Sequence, residues 1–342
     1  MDQYIINFTS IVYEALPFIV LGVILAGLLE EFVPQQFITR VTPSNRAMAI
    51  ALGCLLGLVF PMCECGIIPV MKRLLRKGLP LSLCVSYMLA GPIINIVVIM
   101  STYVAFKNPI FGGSVAVVAL RVGLGFVVAY NVGLIVDRLW RRHGTDLLAP
   151  SVAKGLDQPS NDEVSGRPRT LMDRLNNITA TALGDFIDIL AFLIIGALLA
   201  AGGRAMLDSM RPAPNRPSSL ELELKKHPAL AILMMMALAV LLCLCSEADA
   251  FVAANFPDAW APAAKLAFLV LGPMMDLKLF FMYTRVFRQK LIWTIIVAVV
   301  IQVFAYCLIL NYLEVPVTQH GQALQENWDW IMGLASSGQK VK

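Results

Sequence analysis

The chain has 342 residues, of which 58% are hydrophobic and only 15% charged, and its mean hydropathy is +0.74. That is too little polar surface to clothe a water-soluble fold of this length. A net charge of +4 spread over membrane loops gives no basic patch for nucleic acid, and the partners it leaves are the lipid bilayer and a small-molecule or ion substrate.

Six apolar runs approach or exceed the roughly 20 helical residues, at about 1.5 Å rise each, that cross a hydrocarbon core about 30 Å thick. They cover residues 11–33, 81–106, 110–139, 187–202, 259–283 and 291–313. No Lys or Arg precedes the first and no small-residue cleavage pattern follows it, so it is expected to stay as a membrane helix. Residues 1–140 and 176–313 form two membrane units. A polar, basic linker over 141–175, expected on the cytoplasmic side, joins them, and a polar tail covers 314–342. The loops are too short for a soluble catalytic module, so no enzyme and no cofactor are expected.

The two units read as copies of each other. Glu14-Ala-Leu-Pro-Phe-Ile-Val-Leu-Gly22 aligns with Asp188-Ile-Leu-Ala-Phe-Leu-Ile-Ile-Gly196. Cys63-Glu-Cys65 aligns with Cys243-Leu-Cys245, and Gly91-Pro-Ile-Ile-Asn95 with Gly272-Pro-Met-Met-Asp276. Order is kept and the offset drifts slowly, which chance does not readily produce.

Residues 45–60 are short for a full span and run into Pro61-Met-Cys-Glu-Cys-Gly66, then into a segment ending in Lys72, Arg73, Arg76 and Lys77. This pattern reads as a re-entrant hairpin. Three full spans plus a Cys-containing hairpin per unit give an odd count, hence inverted repeats in an all-α polytopic membrane protein. That arrangement puts the basic clusters, including Arg285, Arg288 and Lys290, on the cytoplasmic side, as the positive-inside bias prefers. The alternative is eight full spans with parallel repeats.

Irregular backbone at membrane depth is tolerated where protein or a water-filled cavity satisfies its polar groups, and matching breaks in two repeats point to a transport site. Such breaks are expected at Pro61 to Gly66, at Gly91-Pro92, at Cys243 to Asp249 and at Gly272-Pro273, all converging near the midplane. Asn95 and Asp276 follow their Gly-Pro pairs at equal spacing. Lys278, two residues from Asp276, is a candidate to neutralise it. Ionisable side chains inside a membrane are costly, so Glu64, Glu247, Asp249 and Asp276 are functional candidates, and a carboxyl there could serve proton coupling.

Among the seven cysteines, Cys54, Cys84 and Cys307 read as packing residues. Cys63, Cys65, Cys243 and Cys245 fall at repeat-equivalent breaks, where four soft sulfurs would suit copper(I), zinc or a trivalent arsenical. The competing reading is again packing. His143, His227 and His320 sit in loops or tails, so no His-based metal site or nucleophilic triad is expected.

Pro61-Met-Cys-Glu-Cys-Gly-Ile-Ile-Pro69, Arg73-Leu-Leu-Arg-Lys-Gly78, Gly91-Pro-Ile-Ile-Asn95, Cys245-Ser-Glu-Ala-Asp-Ala-Phe251 and Leu271-Gly-Pro-Met-Met-Asp-Leu-Lys278 together resemble the predicted permeases of the ArsP/YraQ type. The resemblance covers nearly the whole chain outside the linker and tail. It implies a multi-pass permease of a bacterial-type inner membrane, with efflux of trivalent organoarsenicals as the activity of one branch. The substrate-binding set it carries over is Cys63, Cys65, Gly66, Gly91, Pro92, Asn95, Cys245, Ser246, Asp249, Gly272, Pro273, Asp276 and Lys278. At Glu64 and Glu247 that family commonly has a small polar residue, so this chain adds negative charge beside the thiols. A membrane-embedded thiol, metal or redox protein without net transport is the alternative function.

Overall fold

A computed structural model describes residues 2–32, 42–43, 45–60, 62–106, 113–150, 152–153, 227–256 and 260–313, with scattered positions between 172 and 202. Pro61, Asp188, most of the linker, the loop before His227 and the tail beyond 313 lie outside them. Described secondary structure is almost wholly helical. The helices are α1 (Asp2–Phe32), α2 (Arg46–Val59), α3 (Glu64–Arg76), α4 (Leu81–Ala90), α5 (Ile96–Ala105), α6 (Ser114–His143), α7 (Pro228–Leu242), α8 (Asp249–Ala254), α9 (Pro262–Met274), α10 (Leu277–Thr284) and α11 (Gln289–Tyr312). The described positions between 179 and 202 are also helical.

Burial sorts these helices into layers. Every residue of α4 is buried, as are all but one of α9, so two mostly apolar helices, α9 with the buried Lys265, occupy the centre. α11 turns Trp293, Val297 and Ile301 outward at i, i+4 and i+8, the stripe a lipid-facing helix presents. Three described segments, Ser114–Leu147, Pro262–Thr284 and Gln289–Tyr312, are long and apolar enough to cross a membrane. α2, α4, α5 and α7, with 14, 10, 10 and 15 residues, are each too short to do so alone.

Small residues let the backbones meet. A Cβ on Gly22 would stand 2.6 Å from Gly66 Cα, so α1 and α3 touch backbone to backbone. Likewise, a Cβ on Gly57 of α2 would meet Ile94 O at 2.6 Å and Gly91 Cα at 2.7 Å, which presses α2 onto the turn after α4. Apolar helices in lipid gain little from the hydrophobic effect, so close approach of this kind carries their association. Polar links add to it: Ser86 Oγ of α4 donates to Ala129 O of α6 at 3.3 Å, and Asn131 Nδ2 of α6 donates to Tyr306 Oη of α11 at 3.0 Å.

Helix caps place the interruptions a little differently from the sequence expectation. The first falls before Cys63, which N-caps α3, so Cys65 and Gly66 already lie in the first helical turn. In the second half α9 runs through Gly272-Pro273 to Met274, and the interruption is Met275-Asp276. A proline in the last turn removes one donor without stopping the helix there. Gly91 and Pro92 do lie in non-helical backbone between α4 and α5. Cys243, at the end of α7, is the non-glycine residue with left-handed backbone among the described residues, at φ 46°.

Candidate functional site

Two of the short helices that follow interruptions, α5 and α10, start on a polar cap. Asn95 Oδ1 accepts from Val97 N at 2.9 Å and Asp276 Oδ1 accepts from Leu279 N at 2.7 Å, so both side chains hold a helix start rather than standing one turn beyond the break. Asn95 Nδ2 also donates to Met62 O at 3.4 Å, joining the two interruptions of the first half.

Lys278 lies on the first turn of α10, and its ammonium reaches across to α3. Nζ stands 2.6 Å from Glu64 Oε1 and 3.4 Å from Asp276 Oδ2, with all three side chains 1% exposed. Two carboxylates thus share one cation. Glu64 Oε2 and Asp276 Oδ2 have no hydrogen-bond partner. Burying an ion costs several kcal/mol unless partners compensate, so an excess negative charge here is an unusual feature.

The four cysteines of the sequence analysis surround this ion cluster. The Cys63 and Cys65 thiols are in hydrogen-bonding contact, with Cys245 and Glu64 within electrostatic reach of Cys63. Cys65 and Cys245 lie close enough to act electrostatically on Lys278. The Cys243 thiol sits at the start of α10, against the backbone amides of Leu277 and Lys278, and donates to Val240 O at 3.3 Å. Cys54, Cys84 and Cys307 are buried elsewhere, Cys54 against Ser86. Among the described residues no group of three or more His, Cys, Asp or Glu side chains is arranged to hold a metal ion.

A second ion cluster lies on the other diagonal. Arg121 of α6 grips Asp249, the first residue of α8, with Nη2 2.8 and 2.7 Å from the two carboxylate oxygens. The same Nη2 donates to Ser246 O at 3.2 Å, and Nη1 donates to Thr102 Oγ1 of α5 at 2.6 Å. Ser246 Oγ contacts the half-buried Glu247 at 3.4 Å. Glu64 is therefore tied to α10 of the second half, and Asp249 to α5 and α6 of the first. Sequence reasoning missed Arg121, although it is the lone charge in the centre of the apolar run over 110–139.

Comparison with known proteins gives the family. The family model described as a predicted permease, ArsP_1, matches residues 3–312. The chain belongs to that family. The UPF0718 protein YcgR of Bacillus subtilis is 37% identical over 304 residues, covering 89% of this chain and 95% of the relative. A Streptococcus mutans protein named as a two-component membrane permease complex subunit is 30% identical over 312 residues, covering 91% and 96%. The UPF0718 protein YraQ of Escherichia coli is 26% identical over 131 residues, 38% of this chain and 36% of that one. No solved structure matches. A family of membrane permeases, apolar helices and breaks with buried charge all describe a transport protein.

Proposed function

We propose that this permease is a secondary transporter that moves a small thiol-reactive solute, of the trivalent organoarsenical class, through a site between the helix interruptions. The observation that carries the reading is the gathering of Cys65, Cys243 and Cys245 near Lys278 and of Cys63 near Glu64, with two carboxylates sharing the one cation. Thiols offer reversible covalent capture of a soft electrophile. Glu64, Gly66, Gly91, Pro92, Asn95, Ser246, Glu247, Asp249, Gly272, Pro273 and Asp276 form the remaining shell of that site. Exchange for protons at the surplus carboxylate would couple flux to the proton gradient.

Inverted repeats in a bacterial inner membrane are part of the same proposal. Support comes from element order, in which α2 to α6 and α7 to α11 follow one plan, and from the crosswise pairing of Glu64 and Asp249. The name of the Streptococcus relative also suggests a second subunit for this chain. The deciding experiment is uptake of a monomethyl trivalent arsenical into proteoliposomes containing only this chain, with a Cys63→Ser/Cys65→Ser variant as comparison. Saturable flux that the variant loses supports the reading. Binding without flux would make the chain a membrane-embedded thiol protein, and equal flux in both would remove the thiols from the site.

A further inference from the structure

Two of the segments long enough to cross a membrane, Ser114–Leu147 and Gln289–Tyr312, end at the same place. α6 runs into the 3-10 turn Gly144–Leu147, and a short backbone seam holds that turn to the start of α11. Leu148 pairs antiparallel with Phe287, Arg288 N donates to Leu147 O at 2.9 Å, and Ala149 N donates to Val286 O at 2.9 Å. Beside the seam lies a cavity of about 630 Å³, with His143, Asp146, Leu147, Phe287, Arg288 and Lys290 in its wall.

We propose that this cavity binds the phosphate of an anionic phospholipid headgroup. Its depth is the first reason. Gln289–Tyr312, with 24 residues, is about as long as the hydrocarbon core and its polar margin require, so the cavity at its start lies near the level of the lipid phosphates of one leaflet. Its charge is the second, because Arg288 and Lys290 face a single carboxylate, Asp146. Lys290 Nζ lies 2.7 Å from His143 Nε2, and His143 Nδ1 lies 3.3 Å from Leu139 O. That arrangement fits when Nδ1–H donates to the carbonyl and Nε2 accepts from the ammonium, which leaves Lys290 its charge and two further donors.

The third reason is the start of α11. Its N-cap, Arg288, gives no side-chain cap, so the positive end of a 24-residue helix opens toward the same place. An aqueous phosphate would satisfy the same donors. Headgroup depth favours the phospholipid, since free phosphate has no reason to concentrate at that level.

The test is thermal unfolding of the full chain in detergent with added phosphatidylglycerol, phosphatidylcholine or inorganic phosphate, for the natural protein and for Arg288→Gln/Lys290→Gln. Both replaced side chains are exposed, so the variant should unfold at the natural temperature in phosphatidylcholine. Phosphatidylglycerol should raise the midpoint of the natural protein and raise that of the variant by less than half as much. The single Arg288→Gln, which leaves the Lys290–His143 contact alone, should fall between them, and native mass spectrometry should count fewer retained phosphatidylglycerol molecules on both variants. An equal shift in natural and variant proteins would overturn the site. A shift with inorganic phosphate as large as with phosphatidylglycerol would overturn the lipid as its ligand.

Discussion

Lys278 Nζ donates to Glu64 Oε1 at 2.6 Å across 214 positions of chain, while Asp276, two positions away, lies at 3.4 Å. The sequence neighbour is thus the weaker partner, and α3 and α10 are joined by a buried charge pair. Removing the cation would leave two buried carboxylates without compensation, which costs about 3–5 kcal/mol. Lys278→Met should therefore unfold well below the natural protein in detergent. Adding Glu64→Gln to it should restore part of the loss, a non-additivity that a thermal double-mutant cycle measures. Strictly additive losses would show that the pair is not coupled.

On the opposite diagonal, Arg121 carries Asp249, Ser246 and Thr102 together. Arg121→Met strands a carboxylate that is 2% exposed and should cost about 3–5 kcal/mol, whereas Thr102→Val removes one acceptor and should cost about 1–3 kcal/mol. Arg121→Lys keeps the charge but not the second nitrogen that lets one side chain hold Asp249 and Thr102 together, so its stability should fall between the two. Unfolding midpoints in that order would support Arg121 as the organiser of the interruption between Cys243 and Asp249. A harmless Arg121→Met would contradict it.

These two diagonals also mark how far the sequence could be read. The Gly-Pro pairs and the polar residues after them located the interruptions, because helix breakers and N-caps act locally. Cap geometry then moved the edges: Cys63 starts α3 so early that Cys65 and Gly66 become helical, and α9 tolerates Pro273 in its last turn. The pairing of Glu64 with Lys278 and of Arg121 with Asp249 depends on how distant helices pack, which no local pattern encodes. Arg121 did carry a signal, since a lone Arg amid apolar residues must find a buried acceptor.

Gly57 tests the packing that holds the first interruption. Its missing side chain lets α2 lie against Gly91 and Ile94, with backbone atoms at 2.6 and 2.7 Å from where a Cβ would stand. Backbone cannot yield as a flexible side chain does, so Gly57→Ala should cost about 1–3 kcal/mol. Gly123 has nothing within 4 Å of such a Cβ, and Gly123→Ala should be neutral or slightly stabilising, as expected inside a helix. Similar unfolding temperatures for the two variants would mean that close approach at Gly57 carries no stability.

All seven cysteines are buried, yet only four surround the ion cluster. If the cavity opens during transport, water-soluble maleimide should modify Cys63, Cys65, Cys243 and Cys245 faster than Cys84 and Cys307, and substrate should slow the first group alone. Mass spectrometry of the modified peptides gives the order directly. Equal protection of all of them, with and without substrate, would assign the four to packing.

Asp276 separates stability from coupling more sharply than any other position. Its two oxygens do different things: Oδ1 caps α10 through Leu279 N at 2.7 Å, and Oδ2 lies 3.4 Å from an ammonium that Glu64 already holds at 2.6 Å. Asparagine at this position can keep the cap through its carbonyl oxygen, and it removes the carboxylate in excess, leaving Glu64 and Lys278 as a balanced pair. Asp276→Asn should therefore unfold at or above the natural temperature, although it changes a buried charged residue. If the surplus carboxylate is the group that exchanges protons, the same variant should bind substrate but lose flux driven by a pH gradient. Substrate exchange with no gradient should persist, since it needs binding and reorientation but no net proton transfer. Gradient-driven flux at the natural rate would remove Asp276 from coupling. A fall in unfolding temperature as large as that of Lys278→Met would make it a structural partner of the ammonium instead.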